Sequence, residues 1–365
     1  MNLVSGAKVL IKKVRSKLKF RVIKYKVLES SRSKGFVNII YILHSEKNNK
    51  SGGDKVIYKQ SEVINNLNQI GVNSSVLHVE NTSMRLDWFE HQVKFKKDHN
   101  FDPNNDLVVI PEILLLEHAN LLSKINVSYA IFVQNGYLID AYTQNYDGLA
   151  LAYKNASLIL AISEDAATCI TAAYPWTVDK IVRISCFIDA NKFKSSESKE
   201  NLVTYMPRKL GRHASLIKFF LNEKIPKNWK LKGINGLDEV GVISLLGKSK
   251  IFLSFSELEG LGLPPAEAAL CGNYVIGYTG EGGKEYWKPP IFTEIYSGDI
   301  KKFVNEILAK IEQLDATGLG TDFNASRTEL ANKYSEAAEK QSLVNFLHKA
   351  DSILNAKSTK FKASD

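Results

Sequence analysis

No stretch of this chain reaches the ~18 uninterrupted apolar residues that a membrane-spanning helix needs, so no spanning segment is expected. Cysteine is scarce and odd in number: Cys169, Cys186 and Cys271 lie far apart and fit neither a disulfide framework nor a zinc site. No secretory leader is recognisable at the start, and with the sparse cysteines this points to a reducing cytoplasm. No Asp-x-Asp pair occurs, which leaves a two-carboxylate metal grip without ligands. The run from Asp102 to Ile113 starts like a calcium loop but has Leu107 at the required glycine and Ile113 at the closing glutamate. Neither a G-x-x-x-x-G-K-[ST] phosphate loop nor a G-x-S-x-G nucleophile elbow is present. Internal repeats and low-complexity tracts are absent as well.

What remains is an ordinary globular composition, 44% hydrophobic and 24% charged over 365 residues, long enough for two domains. The net charge of +9 is unevenly placed. Residues 1–35 hold eight Lys and three Arg against Glu29 alone, a net of +10, so the remainder carries −1. Nucleic-acid binding over the body is therefore disfavoured.

The basic arm, residues 1–35, reads as an amphipathic helix. Lys8, Lys12, Arg15, Lys19 and Lys26 fall near one face, and Leu3, Ala7, Leu10, Val14, Leu18 and Tyr25 near another. Such a helix suits the surface of an anionic membrane, where apolar burial and lipid charge act together. A solvated extension is the alternative. A mitochondrial presequence is disfavoured because Lys outnumbers Arg and Ser is sparse.

From residue 37 the pattern alternates strand and helix. Val37–Leu43 has buried-strand length and is followed by Gly52-Gly53 and a helix through Ile57, Val63, Ile64, Leu67 and Ile70, stopped by Gly71. Further strands are predicted at Ser75–Val79, Leu107–Ile110, Tyr129–Val133, Leu158–Ile162 and Ile181–Ile188. The polar stretch Lys194–Glu200 reads as a linker, after which strands recur near Leu202–Met206, Trp229–Ile234, Ile251–Phe255, Tyr274–Tyr278 and Ile291–Ile295. Alternating βα units imply parallel sheets with helices on both faces. The expected class is α/β, with Rossmann-like, doubly wound domains over 36–194 and 201–325 facing a cleft. A helical segment over 326–355 packs back across them, and 356–365 form a tail.

The most informative stretch runs from Ser254 to Gly272. A buried strand ends at the loop Glu259-Gly260-Leu261-Gly262-Leu263, and Pro264-Pro265 then start a helix. A ligand there would meet the carboxyl edge of a sheet and a helix N-terminus, a favourable place for phosphate. Glu259 and Glu267 both border that crevice.

Glu259 and Glu267, spaced E-x7-E around Gly-Leu-Gly-Leu-Pro, resemble the signature of retaining glycosyltransferases with the GT-B fold, particularly the large family 4. Gly282-Gly283-Lys284-Glu285 is similar to that family's G-G-x-E turn, and Ser51-Gly52-Gly53 to the glycine loop after its first strand. Matching features span roughly residues 37–315. The resemblance implies that Glu267 binds the ribose of a nucleotide-sugar. Glu259 would hold the donor sugar with the amides of Gly260, Leu261, Gly262 and Leu263, and Gly52, Gly53, Gly282 and Gly283 would complete the donor site.

Departure of a nucleotide diphosphate leaves negative charge that fixed cations must meet. The family places an Arg after the first strand of its second domain and a Lys five residues later. Arg208 matches the first; the later position is His213, so Lys209, Arg212 or protonated His213 must supply the second cation. Arg208, Lys209 and Glu259 are thus the expected catalytic set. Where the family often carries a His, this chain reads Gln134-Asn135, expected to contact sugar hydroxyls of donor or acceptor. His44 and His118 are read as ordinary polar residues.

The resemblance implies hexosyl or pentosyl transfer from a nucleotide-sugar without metal or cofactor. The acceptor would be a glycan or lipid-linked molecule on the first domain, in cell-surface polysaccharide or lipopolysaccharide assembly. The leaving phosphate would itself take the acceptor proton on the front face; no carboxylate presents itself as a double-displacement nucleophile. The implied location is cytoplasmic, peripheral on the inner membrane face through the arm. Two alternatives stay open: a GT-B sugar-nucleotide epimerase, and a non-catalytic sugar-nucleotide-binding partner of another transferase.

Overall fold

The computed structural model describes residues 23–28, 30, 31, 36–44, 51–318, 320 and 322–362. The basic helix expected over the start of the arm lies outside these residues up to residue 22. Its last expected turn is a strand instead: β1 (Lys26–Val27) pairs in parallel with β4 (Asn100–Phe101). The cause is Tyr25, 8% exposed, whose ring contacts His99, Phe101 and His118 and whose hydroxyl lies 2.6 Å from His118 Nδ1. A side chain buried that deeply ties its backbone to the first domain.

The first domain is a six-stranded parallel sheet. Its strands are β2 (Val37–Leu43), β3 (Val72–His78), β5 (Asp106–Pro111), β6 (Ser128–Val133), β7 (Leu158–Ala161) and β8 (Ile181–Arg183), in the order β3-β2-β5-β6-β7-β8. β5 is buried along its whole length and β2 nearly so, as expected where helices cover both faces of a parallel sheet. The second domain orders β9 (Leu202–Tyr205), β10 (Lys230–Gly233), β11 (Ile251–Glu259), β12 (Tyr274–Glu281) and β13 (Phe292–Glu294) as β10-β9-β11-β12-β13, again all parallel.

In each sheet the winding reverses once, between β2 and β5 and between β9 and β11. The crevice beyond the strand ends at such a reversal is where doubly wound sheets hold ligands. Residues after β9 and β11, from Met206 to Lys209 and from Glu259 to Leu263, meet at the second reversal. Gly52 follows β2 and Glu112 follows β5, the two strands that flank the first.

Three elements differ from the sequence reading. The helix Gly52–Asn66 ends before Ile70, because Asn68 turns to φ 51° and leaves Ile70 wholly exposed. Strand β8 stops at Arg183 because Ser185, Phe187 and Ile188 donate their amides elsewhere: to Ser342 Oγ, Glu339 Oε1 and Tyr334 O. Strand β11 runs on to Glu259 through a bulge between Ser256 and Glu259, carrying that acid to the sheet edge.

The polar stretch 194–200 is laid along the second domain: Ser196 N donates to Gly247 O (3.1 Å) and Glu200 N to Lys248 O (2.8 Å). After the helices Ile300–Thr317 and Asp322–Lys333, the helix Glu336–Lys362 returns to the first domain. It meets the 185–188 segment through Glu339 and Ser342, and Lys357 Nζ donates to Pro103 O (3.3 Å).

Candidate active site

Lys209 and Glu259 form an ion pair at the β9/β11 reversal. The two residues are 50 apart in sequence, and each arrives at the end of its own strand. Arg208 beside them is exposed and has no side-chain hydrogen bond or ion pair among the described residues, so its guanidinium is free to meet an anion. His213 is engaged with the Tyr278 hydroxyl at 3.0 Å. Leu210, between them, takes φ 40° and starts the helix Gly211–Leu221.

The loop after Glu259 turns tightly. Gly262 takes φ 74°, a conformation that suits glycine, and caps the helix Leu263–Leu270. Pro264 and Pro265 remove two of the amides that a helix start would offer. An anion there is therefore served by the loop amides of Gly260 to Leu263 and by the helix dipole, more than by the first helical turn.

Glu267 lies on this helix, partly buried, and makes no side-chain hydrogen bond or ion pair among the described residues. Burial pushes its carboxyl up to about 7, with Glu239 adding to the rise while Lys55 and Lys192 oppose it. Those three neighbours form a network of their own: Glu239 Oε1 lies 2.8 Å from Lys55 Nζ and Oε2 lies 2.6 Å from Lys192 Nζ. Lys55 belongs to the helix after Gly52-Gly53, so the network crosses from one domain to the other beside Glu267.

The first domain faces the loop with Gln134 and Asn135. The backbone of Gly260 packs on the Gln134 carbonyl so closely that no side chain fits, and Gly282 packs on the other side of Gly260. The side-chain amides of both residues are engaged: Gln134 Nε2 donates to Gly53 O (3.1 Å) and Asn135 Nδ2 to Leu258 O across the cleft (3.2 Å). The Gln134 bond stays within the first domain and the Asn135 bond joins the two domains, and a sugar hydroxyl would have to exchange with those carbonyls.

Beneath them lies Glu112, 3% exposed, which the sequence reading missed. It accepts the successive amides of Gln134 (3.2 Å) and Asn135 (3.0 Å), and burial pushes its carboxyl up to about 7. The signal available was an acid immediately after the apolar run Leu107–Pro111; its partners come from the register of β5 on β6.

Gly283 is buried in the turn after β12, with a two-residue spacing to Glu285. Glu285 links the two domains. It accepts Glu164 N (2.7 Å) and the Tyr334 hydroxyl (2.7 Å) and pairs with Arg183 (3.2 Å), clamping the two domains and the returning segment. His44 pairs with Glu80 at 2.9 Å, and His118 with Tyr25. Among the described residues no three His, Cys, Asp or Glu gather into a metal-sized cluster.

No family model matches the chain. Over 256 residues it is 22% identical to an alpha-1,6-glucosyltransferase of Actinobacillus pleuropneumoniae serotype 7, covering 68% of this chain and 72% of that protein. Sucrose-phosphate synthase from Thermosynechococcus elongatus superposes with a TM-score of 0.60 at 11% identity, over 86% of this chain and 98% of its own. Anabaena HepE in complex with UDP and glucose gives 0.60 at 14% identity, covering 86% and 99%. The lipopolysaccharide outer core galactosyltransferase WaaB gives 0.60 at 14%, covering 85% and 98%.

The chain has the GT-B fold. Its architecture is that of the GT-B glycosyltransferases, with two Rossmann-like domains, and the E-x7-E block stands on the second of them. No helix among the described residues is long and apolar enough to cross a membrane.

Proposed function

We propose that the chain is a retaining, metal-independent glycosyltransferase that moves a sugar from a nucleotide-sugar to an acceptor on the first domain. The observation that carries this reading is the Lys209–Glu259 pair, set at the β9/β11 reversal beside the free guanidinium of Arg208 and the loop amides of Gly260 to Leu263. Those groups supply what the departing nucleotide diphosphate needs, fixed positive charge in a preorganised crevice. Glu267, whose carboxylate makes no hydrogen bond or ion pair among the described residues, is suited to accept ribose hydroxyls.

In this reading the bond from the anomeric carbon to the diphosphate breaks as the acceptor oxygen attacks the same face. The acceptor proton passes to the leaving phosphate oxygen. Lys209 both orients Glu259 against the sugar and meets the phosphate. The glucosyltransferase relative, and the neighbours solved with UDP and glucose, favour a UDP-hexose donor. The lipopolysaccharide galactosyltransferase neighbour favours an acceptor in surface-polysaccharide or lipopolysaccharide assembly. With a lipid-linked acceptor, the basic arm would hold the enzyme peripherally on the cytoplasmic membrane face.

Incubation with a panel of nucleotide-sugars tests the reading. Release of free nucleotide with a product of retained anomeric configuration is the expected result. An altered sugar still on its nucleotide would mean epimerisation, and binding without turnover would mean a non-catalytic partner.

A further inference from the structure

Phe219 and Phe220 sit at the end of the helix Gly211–Leu221 with their rings in solvent, 73% and 41% exposed, meeting edge to face with centroids 5.5 Å apart. That helix buries Ala214, Ile217 and Leu221. At about 100° per residue, Phe219 stands on the opposite face, in line with Arg212 and Ser215. Scattered single apolar residues need no explanation, but two phenyl rings in contact at a helix end form a small apolar patch.

The sequence around the patch is rich in positive charge. Between Arg208 and Lys232 the chain holds eight basic residues and one acidic, Glu223, a net of +7 in a body that carries −1 from residue 36 onward. Lys218, Lys224 and Lys227 are exposed, and none has an ion-pair partner among the described residues. Glu223 accepts from the Asn222 side chain at 2.6 Å.

We propose that this helix end is a docking surface for an anionic lipid bilayer. The rings of Phe219 and Phe220 enter the boundary between headgroups and acyl chains, and Arg212, Lys218, Lys224 and Lys227 meet lipid phosphates. Apolar rings beside flexible cations are the composition that binds such an interface. A lipid fits better than an acidic protein on two counts. Lysine is depleted at protein–protein interfaces, and it is a point charge that pairs with phosphates in no fixed geometry. The proposal stands independently of the transferase reading.

The test uses the full chain carrying Phe219→Trp, with vesicles whose acyl chains are brominated. Emission added by the new tryptophan should be quenched with phosphatidylglycerol vesicles. It should stay unquenched with phosphatidylcholine vesicles. Phe219→Ser with Phe220→Ser should weaken partitioning onto phosphatidylglycerol vesicles about tenfold, the loss expected when apolar rings leave the interface. Unchanged melting would show the fold intact. Vesicle-bound protein without quenching, absence of vesicle binding, or unchanged partitioning of the double variant would each overturn the proposal. So would a dimer, seen by sedimentation equilibrium, that the double variant abolishes.

Discussion

A β-carbon on Gly260 would lie 1.6 Å from the carbonyl oxygen of Gln134, far inside any allowed contact. The glycine after β11 in the second domain is thus fitted to the backbone of the first. Gly260→Ala should hold the domains apart. Because a misplacement of about 1 Å at a reacting centre costs ~100-fold, turnover should fall by at least that factor. Small-angle scattering should show an expanded particle; an unchanged scattering profile with full activity would refute the contact.

Glu267 gives a prediction with a pH signature. Glu267→Ala should weaken UDP-glucose binding by ~1.5–3 kcal/mol, the worth of a charge-assisted hydrogen bond. Burial pushes its carboxyl up to about 7, and in the proposed role it would accept ribose hydroxyls best when ionised, so affinity should rise from pH 6 to pH 8. Glu267→Gln should remove that rise. Calorimetry at the two pH values decides it, and a rise that survives in the Gln variant would move the titration to another group.

Much of this site is legible in the sequence, and the boundary has physical causes. Glu259, Gly260, Gly262 and Glu267 lie within one strand–loop–helix segment, so local spacing places them. Glu112 cannot be found that way, since its two amide partners sit 22 and 23 residues on and meet it only through strand pairing. Lys55 and Glu239, 184 residues apart, meet only when two domains close. The two-residue strands β1 and β4 are too short to show any periodicity. Alternating apolar runs were enough for the two sheets.

Glu339 offers a stability test. Burial raises its carboxyl to about 7, with Glu336 adding to the rise and Lys340 and the Phe187 amide opposing it. A carboxyl raised in the folded state favours folding fully below its unfolded value near 4.5, and that contribution is lost as pH climbs through about 7. Glu339→Gln should therefore shrink the fall in Tm between pH 5 and pH 8. Differential scanning fluorimetry measures it, and an undiminished fall would assign the linkage to Glu112 or Glu267.

Turnover should persist in excess EDTA, with Arg208 and Lys209 meeting the diphosphate. Complete loss, restored only by Mg²⁺ or Mn²⁺, would contradict the proposed phosphate site.

The basic arm makes a separable prediction. Removing residues 1–22 spares Tyr25 and its contacts with His99, Phe101 and His118, so the truncated protein should fold and bind nucleotide as before. Cosedimentation with anionic vesicles should fall, and should weaken with salt in the full-length chain. Equal sedimentation of both forms would free the arm of any anchoring role.

The return of the helix Glu336–Lys362 to the first domain changes what a cut in the chain can do. Ile188 N donates to Tyr334 O at 3.0 Å, so the outgoing and returning segments run side by side. A protease that nicked the 194–200 stretch would leave a carboxyl-terminal fragment still seated on its former neighbour through Glu339, Ser342 and Lys357. The halves would elute together and separate only in denaturant. Covalent continuity and physical cohesion are distinct here: the molecule can be severed between its domains and remain one particle.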